Sequence, residues 1–138
     1  MAFQVRRVDY FHAMVADESG AACDALTRLA EHGVNLLAFT TVPMGPMRTQ
    51  LTLFPAEASR MLAAARDAGL RLDGPHPALL VQGDDELGAL AKVHQLLCDA
   101  GVEVYASSGV SDGGGSYGYV LYVRPQDIDK AVDAAAGA

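Results

Sequence analysis

The chain has 138 residues, 51% of them hydrophobic and 20% charged, with a formal net charge of −7. That much apolar content at this length supports one continuous core or two small ones and excludes a disordered segment. Residues 1–73 carry seven arginines against eight acids and residues 74–138 three basic residues against nine acids, which argues against nucleic acid, whose phosphates need a basic face. In chain order, VDYFHAMVA at 8–16 is rich in strand formers, and Asp17 or Ser19 is placed to cap a helix in which Leu26, Leu29 and Ala30 recur at helical spacing beside the Asp24/Arg28 pair. Gly33 stops that helix. VNLLAFTTV at 34–42 and MRTQLTLF at 47–54 form a hairpin around PMGP. Pro55 suits the first turn of a second helix with Ala58, Met61, Leu62 and Ala65 as its apolar stripe, Gly69 ends it, and LRLD at 70–73 closes the unit with a short strand.

The second half repeats the order: strand 78–83, helix 86–100, strand 102–110, strand 117–123 and helix 125–135. The repeat is visible in the letters themselves. DESGAACDALTRLAEHGVNL at 17–36 slides by 68 positions onto DELGALAKVHQLLCDAGVEV at 85–104, placing Asp17 on Asp85, Glu18 on Glu86, Gly20 on Gly88, Leu29 on Leu97, Gly33 on Gly101 and Val34 on Val102. LTLFPAEASRML at 51–62 lies over LYVRPQDIDKAV at 121–132 when the slide grows to 70, and the two extra positions are assigned to the SDGGGS loop, where insertions cost least. The chain thus reads as two βαββαβ units, 1–73 and 74–138. The second has no closing strand of its own; residues 3–6 either supply it or extend the first strand. Joined edge to edge, the units give one eight-stranded antiparallel α+β sheet with four helices on one face.

Two such units, each with D-x-x-G between its first strand and first helix (Asp17 to Gly20, Asp85 to Gly88) and with HGVNL or AGVEV opening the second strand, resemble a pair of ACT domains, over residues 8 to 135. In that family a Pro often precedes the loop glycine; here Ser19 and Leu87 stand there. The resemblance implies regulation and no catalysis: a small molecule, often an amino acid, bound at the interface between two such domains, the first loop of one facing the second strand of the other. The carried-over residues are Asp17, Glu18, Ser19 and Gly20 with Glu103, and Asp85, Glu86, Leu87 and Gly88 with Asn35. Their chemistry fits. A helix N-terminus offers unpaired N–H groups and partial positive charge to a carboxylate, glycine permits close approach, and Asn35 brings a donor and an acceptor. Because Asn35 becomes Glu103 in the second unit, the two sites are expected to differ, Glu103 favouring an ammonium over a carboxylate. A purely structural use stays open beside this, with the glycines allowing tight packing and Asn35 satisfying backbone.

Other candidates fall away. His12, His32, His76 and His94 have no partner at metal-ligand spacing, Cys23 and Cys98 sit in helical patterns as expected buried thiols, and SDGGGSYG lacks the Lys-Ser/Thr and helix start of a phosphate loop. No cofactor is expected, and no acid/base set for an enzyme is found. Tyr105, Tyr117, Tyr119 and Tyr122 are expected to cover the sheet face opposite the helices, marking a homodimer or partner contact. The apolar runs are short of the ~18 residues of a membrane span and MAFQVRRVDY lacks a signal core, so the expectation is a cytoplasmic protein without membrane partners. A regulatory subunit that docks on an enzyme without a ligand is the alternative function.

Overall fold

In the computed structural model of the chain the described residues are 3–16 and 20–136. They form β1 (Phe3–Ala16), α1 (Ala21–Glu31), β2 (Leu36–Pro43), β3 (Arg48–Pro55), α2 (Ala58–Ala68), β4 (Asp73–Asp84), α3 (Ala89–Asp99), β5 (Val104–Ser111), β6 (Ser116–Val123) and, after a 3-10 turn at Pro125–Asp127, α4 (Ile128–Ala136). The chain divides into two compact units, Asp9–His76 in one, and the chain up to Val8 with the chain from Pro77 in the other. Six strands are described, where eight were expected. The reason is covalent: β1 and β4 are 14 and 12 residues long, and each lends one part to each unit. Leu70–Leu72 is consequently no strand, and Leu70 and Leu72 instead pack against the core of the first unit.

In the Asp9–His76 unit the strand order is β2-β3-β1-β4. Strand alternation sends Phe11 and Ala13 of β1 and Leu51 and Leu53 of β3 to one face, where α1 brings Ala25 and Leu29 and α2 brings Met61 and Ala64. Both helices therefore cover the same side of the sheet. Full burial of side chains such as Leu29 and Met61 stabilises by roughly 1.5–3 kcal/mol each. The expected stripe of α2 is rotated slightly. Met61, Ala64, Ala65 and Ala68 are buried whereas Leu62 is exposed, and α2 begins at Ala58 with Glu57 as its N-cap, Pro55 belonging to β3. The Asp24/Arg28 pair forms at 3.1 Å.

The second unit has the order β1-β4-β6-β5. Leu79, Val81, Tyr117, Tyr119, Leu121 and Val123 face Val93 and Leu97 of α3 and Ile128 and Ala131 of α4, and Phe3 and Val5 pack against this core. Tyr117 and Tyr119 thus lie under the helices; of the four tyrosines only Tyr105 and Tyr122, ring centroids 6.2 Å apart, remain outside that core. Alternation along β6 splits them. Cys23 and Cys98 are exposed, contrary to expectation, because each falls off the buried helical face defined by Ala25 and Leu29 or by Val93 and Leu97.

The pairing registers also correct the site of the two-residue insertion. Phe11 pairs with Leu53 and Ala16 with Arg48 in the first unit; Leu79 pairs with Leu121 and Asp84 with Ser116 in the second. The hairpins therefore superpose at 68 throughout. The extra residues lie between Val123 and Ile128, where four residues stand in place of the two between Pro55 and Ala58. A slip of two keeps every side chain on its own face, so apolar alternation alone could not exclude it.

Candidate functional site

Gly20 and Gly88 are the N-caps of α1 and α3, with φ of +89° and +79°. Both sit in the left-handed region, which costs an L side chain about 1–2 kcal/mol, and nothing lies within 4 Å of where a Cβ would stand on either. The glycines are there for backbone conformation, not for close packing of strand on helix. With glycine at the cap, no side-chain hydrogen bond closes either helix start, and the outward N–H groups of a first helical turn carry the positive end of the helix dipole. Asp17, Glu18 and Ser19 lie outside the described residues, and the N-cap position of α1, expected at Asp17 or Ser19, is held by Gly20.

The loop before α3 is tied down from below. The Asp85 N–H donates to the Gly115 carbonyl at 2.9 Å, and the Asp85 carboxylate accepts from the Ser111 hydroxyl at 2.8 Å. Ser111 in turn accepts from the Gly113 N–H, while the Asp112 carboxylate accepts from the N–H groups of Gly114 and Ser116 at 2.6 and 3.1 Å, which holds its carboxyl below the usual carboxylate range. SDGGGS is thus a closed hairpin turn that anchors the Asp85 loop. Asp85, Glu86, Leu87 and Gly88 with the first turn Ala89–Ala91 line an open hollow of about 570 Å³. Leu87 and Glu86 are exposed on it.

Asn35 and Glu103 each stand one residue ahead of β2 and β5, not inside them. Asn35 is exposed, and its carbonyl accepts from the Ala56 N–H at 2.8 Å. Glu103 is exposed but lies 3.5 Å from the Arg124 guanidinium, an ion pair that tempers the bare negative charge expected there. Neither Asn35, the residue expected to face this loop, nor Glu103 is among the residues that line the hollow of 85–91.

A second cluster was not anticipated. On the helix-free face of the Asp9–His76 unit, the His12 Nδ1 lies 3.1 Å from the Thr52 hydroxyl and the His76 Nε2 lies 3.2 Å from the Asp73 carboxylate. Tyr10 packs against both histidines and Phe54 with centroids 5.1–5.3 Å apart. Burial first, and then the neighbouring His76, lower the His12 pKa below 6.5, against the opposing pull of Asp73. His12, Met14, Arg48, Gln50, Arg71, Leu72 and Asp73 line a hollow of about 450 Å³ here. His94, expected as a plain helix-face residue, has its Nδ1 2.6 Å from the Tyr119 hydroxyl. Among the described residues no three His, Cys, Asp or Glu side chains are grouped as a metal ion requires, and no helix is long and apolar enough to cross a membrane.

No family model and no curated protein matches the chain. Solved structures do. Protein BT0572 from Bacteroides thetaiotaomicron superposes with a TM-score of 0.81 at 18% identity, over 96% of this chain and 89% of its own. The ligand-free regulatory subunit of aspartate kinase from Thermus thermophilus does so at 0.69 and 16%, over 100% and 97%. E. coli aspartokinase III in complex with lysine and aspartate gives 0.58 and 14%, over 99% of this chain and 32% of that one. At these identities the likeness establishes the fold alone: tandem ferredoxin-like repeats, α+β, with antiparallel strands and the helices of each unit on one face.

Proposed function

We propose that the protein is a non-catalytic regulatory module that binds a free amino acid at an interface between its two ACT-like repeats and so changes the activity of a partner. The observation that carries this is the Gly88 loop. A left-handed glycine opens α3 without a capping side chain, faces open space, and is held by the Asp85 anchor to the hairpin turn. An α-carboxylate docked there gains backbone N–H groups without any basic side chain. The likeness to aspartate kinase regulatory subunits, and to an aspartokinase holding lysine and aspartate, supports the same reading.

The proposed sites join Asp85, Glu86, Leu87 and Gly88 with Asn35, and Asp17, Glu18, Ser19 and Gly20 with Glu103. The repeats are taken as 1–73 and 74–138, the second completed by residues 3–6, and Phe3 and Val5 packing on the Leu79/Leu121 core supports that completion. The reading includes a cytoplasmic homodimer without nucleic acid or membrane partners, in keeping with the acidic surplus of the second half. A thermal-shift screen of the free amino acids tests it. At least one is expected to raise the melting temperature saturably. If none does, the ligand-free docking subunit takes its place.

A further inference from the structure

The hollow on the helix-free face of the Asp9–His76 unit has a counterpart in the other unit. Its lining positions Met14, Arg48, Arg71 and Leu72 correspond, at the 68-residue register that the hairpins share, to Gln82, Ser116, Phe3 and Gln4, and these four residues line a hollow of about 550 Å³ in the second unit. The two hollows share these four of their seven lining positions; His12, Gln50 and Asp73 have no counterpart in the lining of the second, which takes in Gly83, Asp84 and Tyr117 instead. What differs at the shared positions is the chemistry: two guanidiniums in one copy, where the other has a phenyl ring and a hydroxyl. A role in folding alone does not call for this pair of arginines, since the second unit pairs the equivalent strands without them.

Among the described residues neither Arg48 nor Arg71 has an acid partner, although Arg28, Arg60 and Arg124 all do. The one carboxylate at the rim, Asp73, is engaged by His76 at 3.2 Å. His12 is fixed through one nitrogen by Thr52, Gln50 adds an amide, and Met14 and Leu72 supply an apolar wall. We propose that this hollow is a second ligand site, taking a small organic oxyanion whose carboxylate or phosphate group is held by Arg48 and Arg71 and whose short aliphatic body lies on Met14 and Leu72. Planar guanidinium forks match either group in paired hydrogen bonds, and about 450 Å³ is in the range of small-molecule sites. Gly20 and Gly88 line neither hollow, so this site stands independently of the amino-acid site.

The test is a titration of the full chain, followed by backbone amide NMR, with inorganic phosphate in one arm and succinate in the other. Saturable shifts confined to the strands and loop around Gln50 and Leu72 are expected in at least one arm, and the tighter arm names the oxyanion. Arg48→Ala and Arg71→Ala should each weaken that arm by about tenfold or more, the scale of a lost charge-assisted pair. Arg60→Ala, which removes the same charge from a surface pair with Glu57, should leave it unchanged. Both lining arginines are exposed, so the folded state survives the changes and a thermal melt of each variant verifies it. Shifts that do not saturate in either arm, or equal weakening by Arg60→Ala, overturn the proposal.

Discussion

Replacing Gly88 separates backbone conformation from ligand access. At φ +79° with nothing within 4 Å of a Cβ position, Gly88→Ala introduces no clash, so its whole cost is that of a left-handed L residue, about 1–2 kcal/mol. For a chain of this size that lowers Tm by roughly 3–10 °C. Gly88→Asn should recover a large part of the loss, because asparagine tolerates this region through local hydrogen bonding. Gly20→Ala at φ +89° should lose a similar amount at α1. Amino-acid affinity, by contrast, should fall in Gly88→Ala and Gly88→Asn alike, since both side chains enter the space in front of the helix start. Differential scanning calorimetry and titration calorimetry on the same samples give the two quantities. An alanine variant that melts like the parent, or an asparagine variant that melts lower than alanine, would refute the reasoning.

Leu97 is fully buried in the second unit, so Leu97→Ala should cost about 2–5 kcal/mol in denaturant unfolding, while Leu62→Ala on exposed helix surface should stay within about 0.5 kcal/mol. His12 titrates below 6.5 in the fold, held down by burial and by His76 against Asp73. The unfolded chain then binds the proton first, so stability from this residue is full above 6.5 and declines as pH falls toward the folded value. His12→Gln should remove that part of the decline, and an unchanged pH profile of the urea midpoint would count against it. The Asp112 carboxyl should titrate below the usual carboxylate range by carbon NMR, because the Gly114 and Ser116 N–H groups bond its ionised form; an ordinary value would mean that the turn is not closed as described.

Much of the fold was legible because local signals agreed with one another. The Leu26/Leu29/Ala30 spacing and the Asp24/Arg28 pair mark α1, and the D-x-x-G loops recur at one fixed distance, so the two helices are legible to within a turn; their starts at Ala21 and Ala89, later than a cap at Asp17 or Ser19 and a start at 86, follow from the left-handed Gly20 and Gly88. What was not legible depended on strand register. Alternation has a period of two, so the letters allowed Leu51 to lie on Leu121, whereas pairing matches Leu53 to it. The same blindness hid the second hollow: His12, Arg48 and Arg71 come from three segments that only the β1/β3 pairing and the entry to β4 bring to one face. His12 has no partner at metal-ligand spacing in the sequence, and its partner in the fold is a threonine 40 residues away. Glu103 could be read as a charge but not as half of a pair, because Arg124 lies beyond a hairpin in sequence.

The central claim is that an amino acid binds with its carboxylate on the Gly88 loop and its ammonium near Asn35, and titration calorimetry of Asn35→Ala and Glu103→Gln with the stabilising amino acid tests it most directly. Losing charge-assisted hydrogen bonds at Asn35 costs about 1.5–3 kcal/mol, so Asn35→Ala should weaken binding at this site by roughly ten- to hundredfold, and Glu103→Gln should leave it nearly unchanged. Equal losses from the two substitutions, or full affinity in Asn35→Ala, would contradict it.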